Sequence, residues 1–265
     1  MSGWVYPDWR GPFYPKGTTQ KNELAYASRH VTSIELNASF YSLQKPASWQ
    51  KWRDATPDEF LFAVKGPRFI THIRRLDDVH EPLANFFASG ILALGSKLSA
   101  VLWQLPPSLE FEPYLIERFL EQLPHTTTAA VELASQRGER MKDKEWLTTD
   151  AERPLRHAIE VRHPTFENEE FLALLGQYRV APVLIEPGGK RPSIDLETTD
   201  FRYLRMHGDL AIHEGGFYTE RDLDELAARV NAWLDRGLDT YMYFNNDAKA
   251  HAPIDAMNLL KRLNA

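Results

Sequence analysis

The sequence predicts an α/β fold in which eight parallel strands close into one (β/α)8 barrel, the TIM barrel. Short apolar runs alternate with amphipathic helical segments along the chain, a pattern typical of a parallel sheet with helices outside it. Eight such runs are present, and eight strand–helix units close naturally into a barrel. The length of 265 residues is close to the ~250 residues of a typical single-domain barrel, so we expect residues 1–265 to form one domain.

The predicted strands are short segments rich in apolar and β-branched residues. Their ranges are 2–5, 31–37, 60–65, 99–105, 157–162, 180–186, 201–207 and 240–245. An open doubly wound sheet is the alternative arrangement of the same elements. The first strand is not followed by the G-x-G-x-x-G motif of the dinucleotide-binding form of that fold, so the barrel is favoured.

The segments between the strands carry apolar residues at helical spacing. Pro113 is predicted to begin one helix, and Asn168 to cap another. Thr219 and Asp222 form a T-x-x-D motif that predicts the start of a third helix, which is expected to end at Gly237. Residues 126–146 predict an additional polar helix, inserted between the fourth and fifth strands. Its AAVEL portion resembles a strand, but the alanine and charge content favours a helix.

Composition excludes several classes of function. The formal net charge is −6 and the pI is near 5.9, which argues against a basic surface that coats nucleic acid. The absence of cysteine excludes disulfides, thiolate nucleophiles and zinc sites with Cys ligands. The segment MSGWVYPDWRG has neither the basic nor the apolar region of a secretory signal. Because the most apolar stretch is interrupted by glycine and lysine, we expect a cytoplasmic protein with no membrane partner.

Polar residues are concentrated at the carboxyl ends of the predicted strands, where barrel enzymes place their sites. Three strands end in polar residues at positions i and i+2, which share one face of a strand. These pairs are Glu35 with Asn37, Glu160 with Arg162, and Arg205 with His207. The residues that end four more strands are Lys65, Gln104, Glu186, Asn245, Asn246 and Asp247. A buried charge is costly unless it is paired with an opposite charge or takes part in binding or catalysis. Any one of these pairs by itself therefore favours a structural ion pair, whereas the whole collection at one end of the strands favours a functional site.

Seven segments, in order along the chain, resemble the motifs of the YecE-like family, a domain of unknown function numbered 72. They are GWVYPDWRGPFYP, SIELNASFY, FAVKGPRFITH, VLWQLPP, LRHAIEVRHPTF, YLRMHGD and YFNNDAKAHAPIDA. The resemblance extends from about Gly3 to about Leu263 and implies a TIM barrel with a polar pocket at the strand ends. It implies no established reaction. In its barrel architecture the family is also similar to the endonuclease-four and xylose-isomerase groups, which bind divalent metals through Glu, His and Asp.

The leading functional prediction is an enzyme of hydrolase or isomerase type that binds a small anionic or phosphorylated ligand, such as a sugar or nucleotide derivative. Lys65, Arg162 and Arg205 would orient the anion, because guanidinium groups match phosphates and carboxylates in geometry. Glu35 and Glu160 are the acid–base candidates, one protonated by burial and the other held ionised by arginine.

Other side chains are expected to titrate near the ligand or to contact it. His207 is the preferred catalytic histidine because it shares a strand face with Arg205, whereas His72 is either a ligand contact or a packing residue. Asp209 and Asp247 count against a phosphate lying on the last two loops, and their alternative interpretation is as turn or cap residues. The predicted hydrogen-bonding and stacking contacts of the ligand are Trp4, Tyr6, Asn37, His72, Gln104, Asn245, Asn246 and Asp247.

Two alternatives stay open at this point. A metal-dependent nuclease or isomerase would take hard ligands from carboxylates such as Glu186, but there is no H-E-x-x-H motif and carboxylates near arginines favour ion pairing. The cofactor is therefore unassigned, with a divalent metal considered but not favoured and no organic cofactor motif found. A non-catalytic protein that senses a metabolite or nucleic acid would use the same pocket. The oligomeric state is not predicted.

Overall fold

The structure is a computed structural model that describes residues 1–186, 192–208 and 216–263. Within these ranges, seven parallel strands form a sheet whose spatial order follows the order along the chain. They are β1 (Ser33–Leu36), β2 (Leu61–Lys65), β3 (Leu98–Gln104), β4 (His157–Glu160), β5 (Val180–Glu186), β6 (Phe201–Met206) and β7 (Asp239–Phe244). The sheet curls into a nearly closed barrel surrounded by helices, so the predicted α/β barrel class is confirmed.

The predicted strand at 2–5 does not form a strand. Ser2 makes only an isolated parallel bridge with Glu35. The backbone N–H of Ser2 donates to the carbonyl of Phe244 at 3.0 Å, and that of Gly3 donates to the carbonyl of Glu35 at 2.9 Å. The segment therefore lies between β7 and β1 and hydrogen-bonds to both. Gly3 has a φ of 74°, which no strand residue adopts, so the chain turns away before a ladder can form.

The helices pack outside the barrel, and all but α1, which precedes β1, and α9, which follows β7, connect consecutive strands among the described residues. Their bounds are α1 (Gln20–Ala27), α2 (Ala38–Tyr41), α3 (Pro46–Asp54), α4 (His80–Ala88), α5 (Pro113–Glu121), α6 (Thr127–Ser135), α7 (Glu169–Gln177), α8 (Glu220–Leu234) and α9 (His251–Leu263). Asn168 caps α7 as predicted, by accepting the N–H of Phe171 at 2.9 Å, and Thr219 forms the predicted capping box of α8. Among the described helices, none has the length and apolar character needed to cross a membrane.

The polar helix predicted over 126–146 is shorter than expected. It is α6, which includes the AAVEL segment and ends before Gly138, whose extended backbone (φ −70°, ψ 160°) is incompatible with a helix. A single 3-10 turn, Glu139–Met141, follows. Two helices, α5 and α6, therefore lie between β3 and β4.

The core has two layers, one inside the barrel and one between the sheet and the helices. Small residues such as Ala63 and Ala100 fill the interior, while large side chains such as Trp103 face the helices. The Trp103 ring packs edge-on against Phe86 and Phe119, with centroids 5.8 and 5.4 Å away. A Cβ on Gly66 would lie 2.4 Å from that ring, so only glycine fits directly after the carboxyl end of β2.

Candidate functional site

An ionic network joins the carboxyl ends of three strands inside the barrel. The guanidinium of Arg205 is its centre: Nε and Nη2 donate to Glu35 at 3.1 and 2.9 Å, and Nη1 donates to Glu160 at 2.6 Å. Arg162 also donates to Glu160, through Nε, at 2.7 Å. Both carboxylates are completely buried. Four charged residues that sequence analysis assigned to three strand ends are therefore joined in one network.

Neutral donors occupy further acceptor positions of the two carboxylates. Ser2 Oγ and the Tyr203 hydroxyl donate to Glu35 at 2.7 and 2.8 Å. The side-chain amide of Gln104 donates to Glu160 at 2.9 Å. Since the arginines donate to the same groups, each of the four carboxylate oxygens accepts at least one hydrogen bond.

Both carboxylates are held in their ionised form. Burial alone would raise the pKa of Glu35, but Arg205 and then Lys65 outweigh it and lower that pKa. At Glu160, burial is likewise outweighed by Arg205 and Arg162, which hold the pKa of that carboxyl well below its usual range. Neither carboxyl is therefore available as a proton donor at neutral pH.

A cavity of about 580 Å³ opens at this end of the barrel, beside the network. Its polar lining is Asn37, Lys65 and Arg205, and its aromatic lining is Trp4, Tyr6, Tyr41 and Trp52. Trp4 and Trp52 contact each other edge to face, with ring centroids 5.9 Å apart. The cavity therefore combines an aromatic wall with two cationic side chains.

Lys65 brings an unneutralised charge to this cavity. It is 8% exposed, and its Nζ lies 4.1 Å from the centre of the Phe40 ring. No hydrogen bond or salt bridge joins Nζ to any residue that the structure describes. Burial, followed by the positive charge of Arg205, lowers the pKa of Lys65 to about 8, although Glu35 and Glu160 oppose the shift.

The carboxyl group of Asp247 has a pKa that lies near neutral pH. Its Oδ1 is buried and accepts no hydrogen bond from the described residues. Burial raises the pKa of Asp247 to about 6, although the nearby Tyr6 hydroxyl opposes the shift. Lys249 and Ala250 follow with φ values of 54° and 61°, a region unfavourable for residues with a Cβ. The indole N–H of Trp9 donates to the Asp247 carbonyl at 2.8 Å and secures this strained loop.

The predicted asparagines fall into two groups. Asn245 accepts a hydrogen bond from the central guanidinium at 3.0 Å, and Asn37 donates to Ser2 Oγ at 2.7 Å, so both extend the network. Asn246 instead donates to Asp255 of α9 at 2.7 Å. This contact joins α9 to the loop after β7 and directs the Asn246 amide away from the network.

The histidines lie at the margin of the site. The His72 ring packs edge-on against Phe40 at 5.1 Å, and its Nδ1 is 2.8 Å from Thr71 Oγ1. Burial, followed by the charge of Lys65, lowers the pKa of His72 to about 4, so the ring is neutral at pH 7. His207 follows β6 and is partly exposed, whereas Asp209 lies outside the described residues.

Sequence reasoning missed three contributors to the site: Ser2, Trp52 and Tyr203. Tyr203 could have been found, because it precedes Arg205 by two residues in β6 and shares its face. Ser2 and Trp52 gave no such signal, since one begins the predicted strand at 2–5, far from its carboxyl end, and the other lies on α3.

The carboxylates do not form a metal site among the described residues, where no three His, Cys, Asp or Glu side chains are arranged to hold an ion. Glu35 and Glu160 are paired with arginines, and Glu186 accepts from Arg229 of α8 at 2.7 Å. The donor set thus favours ion pairing over metal coordination.

The chain matches the family model described as protein of unknown function DUF72 over residues 1–265. UPF0759 protein YunF from Bacillus subtilis is 23% identical over 288 residues, covering 99% of this chain and 93% of the relative. UPF0759 protein YecE from Escherichia coli is 31% identical over 132 residues, 48% of this chain and 46% of that protein.

Two solved structures of DUF72 family proteins share the fold. One from Thermotoga maritima has a TM-score of 0.76 and 25% identity, covering 100% of this chain and 98% of that one. One from Enterococcus faecalis has a TM-score of 0.71 and 19% identity, covering 100% and 94%. The whole-chain family match agrees with the resemblance shown by the seven sequence motifs, and the chain belongs to the DUF72 family.

Proposed function

We propose that the cavity binds a small anionic ligand, such as a sugar or nucleotide derivative, and that the chain acts on it as an enzyme by acid–base chemistry. The observation that carries the proposal is the buried ammonium of Lys65, which lines the cavity without a carboxylate partner among the described residues. Buried cations are normally paired. A ligand anion would supply the partner that the described part of the protein does not.

Two arginines add hydrogen-bond donors to this charge. Toward the described residues, Arg205 uses four of its five N–H groups, one from Nε, one from Nη1 and two from Nη2, so one Nη1 N–H is left there. Within the same part of the chain, Arg162 uses only Nε, on Glu160. With two carboxylates against Arg205, Arg162 and Lys65, the group carries a net charge of +1 before Asp247 is counted. Asp247 offsets this charge when it is ionised, so the case for an anion depends on the position of Lys65 and Arg205 in the cavity lining and not on the net charge.

The aromatic side of the cavity suits the remainder of such a ligand. Trp4, Tyr6 and Trp52 line the same cavity as the two cationic side chains. Sugar rings and nucleobases both stack on aromatic side chains, which tolerate different ring types because the contact is between flat faces.

Asp247 lies beside the cavity residue Tyr6 and not in the lining itself, and its pKa makes it the group best suited to proton transfer in the proposed enzyme. Its pKa of about 6 lies near neutrality, and one of its oxygens accepts no hydrogen bond from the described residues, which is the condition expected of a general acid or base. In this proposal Glu35 and Glu160 hold the arginines in place. His207, at the end of β6, stays a prediction as a second titrating group.

The test is a screen of carboxylates, phosphorylated sugars and nucleotides, scored for thermal stabilisation and for turnover. We expect at least one anion to stabilise the wild type and Lys51→Met, which changes an exposed lysine of α3, but not Lys65→Met. Equal stabilisation of Lys65→Met and wild type would contradict the binding site. Turnover that Asp247→Asn abolishes would support catalysis, whereas stabilisation without turnover of any ligand would favour a sensor.

A further inference from the structure

We propose that Lys65 is a nucleophilic amine that condenses with an aldehyde or ketone group of the ligand to form an imine. The inference rests on the proposed function, because the carbonyl compound is the anionic ligand of the same cavity. The substrate class is therefore a small carbonyl compound with an anionic group, such as a 2-oxo acid or a sugar phosphate in its open-chain form.

The contrast between two buried lysines supports this assignment. Lys97 is 7% exposed, and its Nζ donates to the carbonyls of Arg53 and Thr56 at 2.7 and 2.8 Å and to Thr56 Oγ1 at 3.1 Å. Those oxygens hold Lys97 as a structural ammonium. Lys65 is buried to the same degree, yet its Nζ borders the cavity and donates to none of the described oxygens. A nucleophilic amine requires such freedom, because a tightly bound ammonium has no lone pair to offer.

Burial is the main factor that favours the neutral form of Lys65, and the charges around it act in both directions. Burial and Arg205 lower the pKa to about 8, with Arg162 adding to the shift. The opposing carboxylates, Glu35 and Glu160, are bonded to those arginines. His72, whose own pKa is lowered to about 4, adds no charge on this side at pH 7. Roughly a tenth of the amine is then unprotonated at pH 7, against far less than a hundredth for an ordinary lysine.

The reaction is balanced without an oxidant or reductant. The neutral Nζ adds to the carbonyl carbon, the π electron pair of the C=O bond passes to oxygen, and a proton moves from nitrogen to oxygen. The oxygen takes up a second proton and leaves as water while the C=N bond forms. The ammonium and the carbonyl compound thus give a protonated imine and water, and the positive charge stays on Nζ. This group withdraws electrons from the neighbouring carbon and eases removal of a proton from it.

Reductive trapping tests the proposal. The protein is incubated at pH 7 with sodium cyanoborohydride and one of three carbonyl compounds: glycolaldehyde, which is neutral, pyruvate, or glyceraldehyde 3-phosphate. Hydride reduces the imine to a stable secondary amine, which peptide mass spectrometry locates. We expect modification of Lys65 at least ten times faster than that of the exposed Lys51, and faster with an anionic probe than with glycolaldehyde. Lys65→Arg should retain the fold and lose this fast adduct.

Four outcomes separate the imine from the proposed anion site. Labelling of Lys65 no faster than that of Lys51 with every probe overturns the imine, as does an unchanged fast adduct in Lys65→Arg. Lactate has the carboxylate of pyruvate but no ketone, so thermal stabilisation by lactate reports anion binding alone. If anions stabilise the wild type but not Lys65→Met while trapping fails, the proposed function stands alone. Fast trapping by glycolaldehyde only, without stabilisation by any anion, supports a reactive amine at Lys65. It also excludes an anionic carbonyl compound as the substrate.

Discussion

Arg205 and Glu35 form a two-point ion pair between β6 and β1, with Nε–Oε2 and Nη2–Oε1 distances of 3.1 and 2.9 Å. The residues are 170 positions apart in the sequence, and their side chains are 5% and 0% exposed. Charges buried to this degree are tolerated as partners, because their attraction and hydrogen bonds offset the loss of solvation. Removing one partner leaves the other charge unpaired inside the barrel.

The main effect of replacing Arg205 should therefore be a loss of folding stability and not a change in ligand binding. We expect Arg205→Met to lower the free energy of unfolding by about 3–5 kcal/mol, since Glu35 and Glu160 both lose their central cation. Urea unfolding at pH 7 provides the measurement. Arg221→Met is the control, because Arg221 is 86% exposed in its pair with Glu225 and should cost at most about 1 kcal/mol. A loss at Arg205 no larger than in the control would show that the network does not stabilise the barrel.

Acid should destabilise the protein through the same two carboxyls. The pKa values of Glu35 and Glu160 are lowered below the ordinary 4.5 in the folded state, so the unfolded chain takes up protons first as pH falls. Their contribution to stability is present above pH 4.5 and is lost progressively below it. We expect the free energy of unfolding to fall between pH 5 and pH 3, with a shallower slope in Glu160→Gln. An identical slope in the variant would contradict this explanation.

Asp247 should have the opposite effect on stability. Its pKa is raised from 3.8 to about 6 in the folded protein, so its contribution is most favourable below pH 3.8 and is lost as pH rises through 6. Asp247→Asn keeps the shape of the neutral carboxyl. We expect the variant to exceed the wild type in free energy of unfolding by on the order of 1 kcal/mol at pH 8, and to match it below pH 4. Urea unfolding across this range measures the difference, and a variant less stable at pH 8 would show that the ionised carboxylate is stabilising.

Gly66 should be intolerant of a side chain. Its Cβ would lie 2.4 Å from the Trp103 ring, which is completely buried and packs against Phe86 and Phe119. We expect Gly66→Ala to lower the free energy of unfolding by about 1–3 kcal/mol. Gly176→Ala is the matched control, since its Cβ would meet nothing within 4 Å and alanine in a helix should add about 0.5–1 kcal/mol. Equal effects of the two substitutions in thermal melts would mean that the packing at Trp103 relaxes easily.

Local pattern was sufficient to predict most of the strands and the faces on which their polar residues lie. The strand over Val180–Glu186 has its predicted bounds, and the predicted pair of Glu160 and Arg162 is in contact. Strand identity here depends on short runs of apolar and β-branched residues, which are encoded by residues next to each other. The strand expected at 2–5 failed because Gly3 takes a positive φ, which a glycine permits but does not require.

By itself, then, the sequence determined the barrel class and the set of charged residues at its carboxyl end. Only the tertiary structure decided which of those charges neutralise each other: Arg205 is shared between Glu35 and Glu160, and Lys65 is left facing the cavity. The physical reason is the separation along the chain of the residues that determine each property. Side-chain direction along a strand is fixed by the nearest neighbours, whereas pairing depends on distances between strands that are far apart in the chain and on the desolvation that the closed barrel imposes.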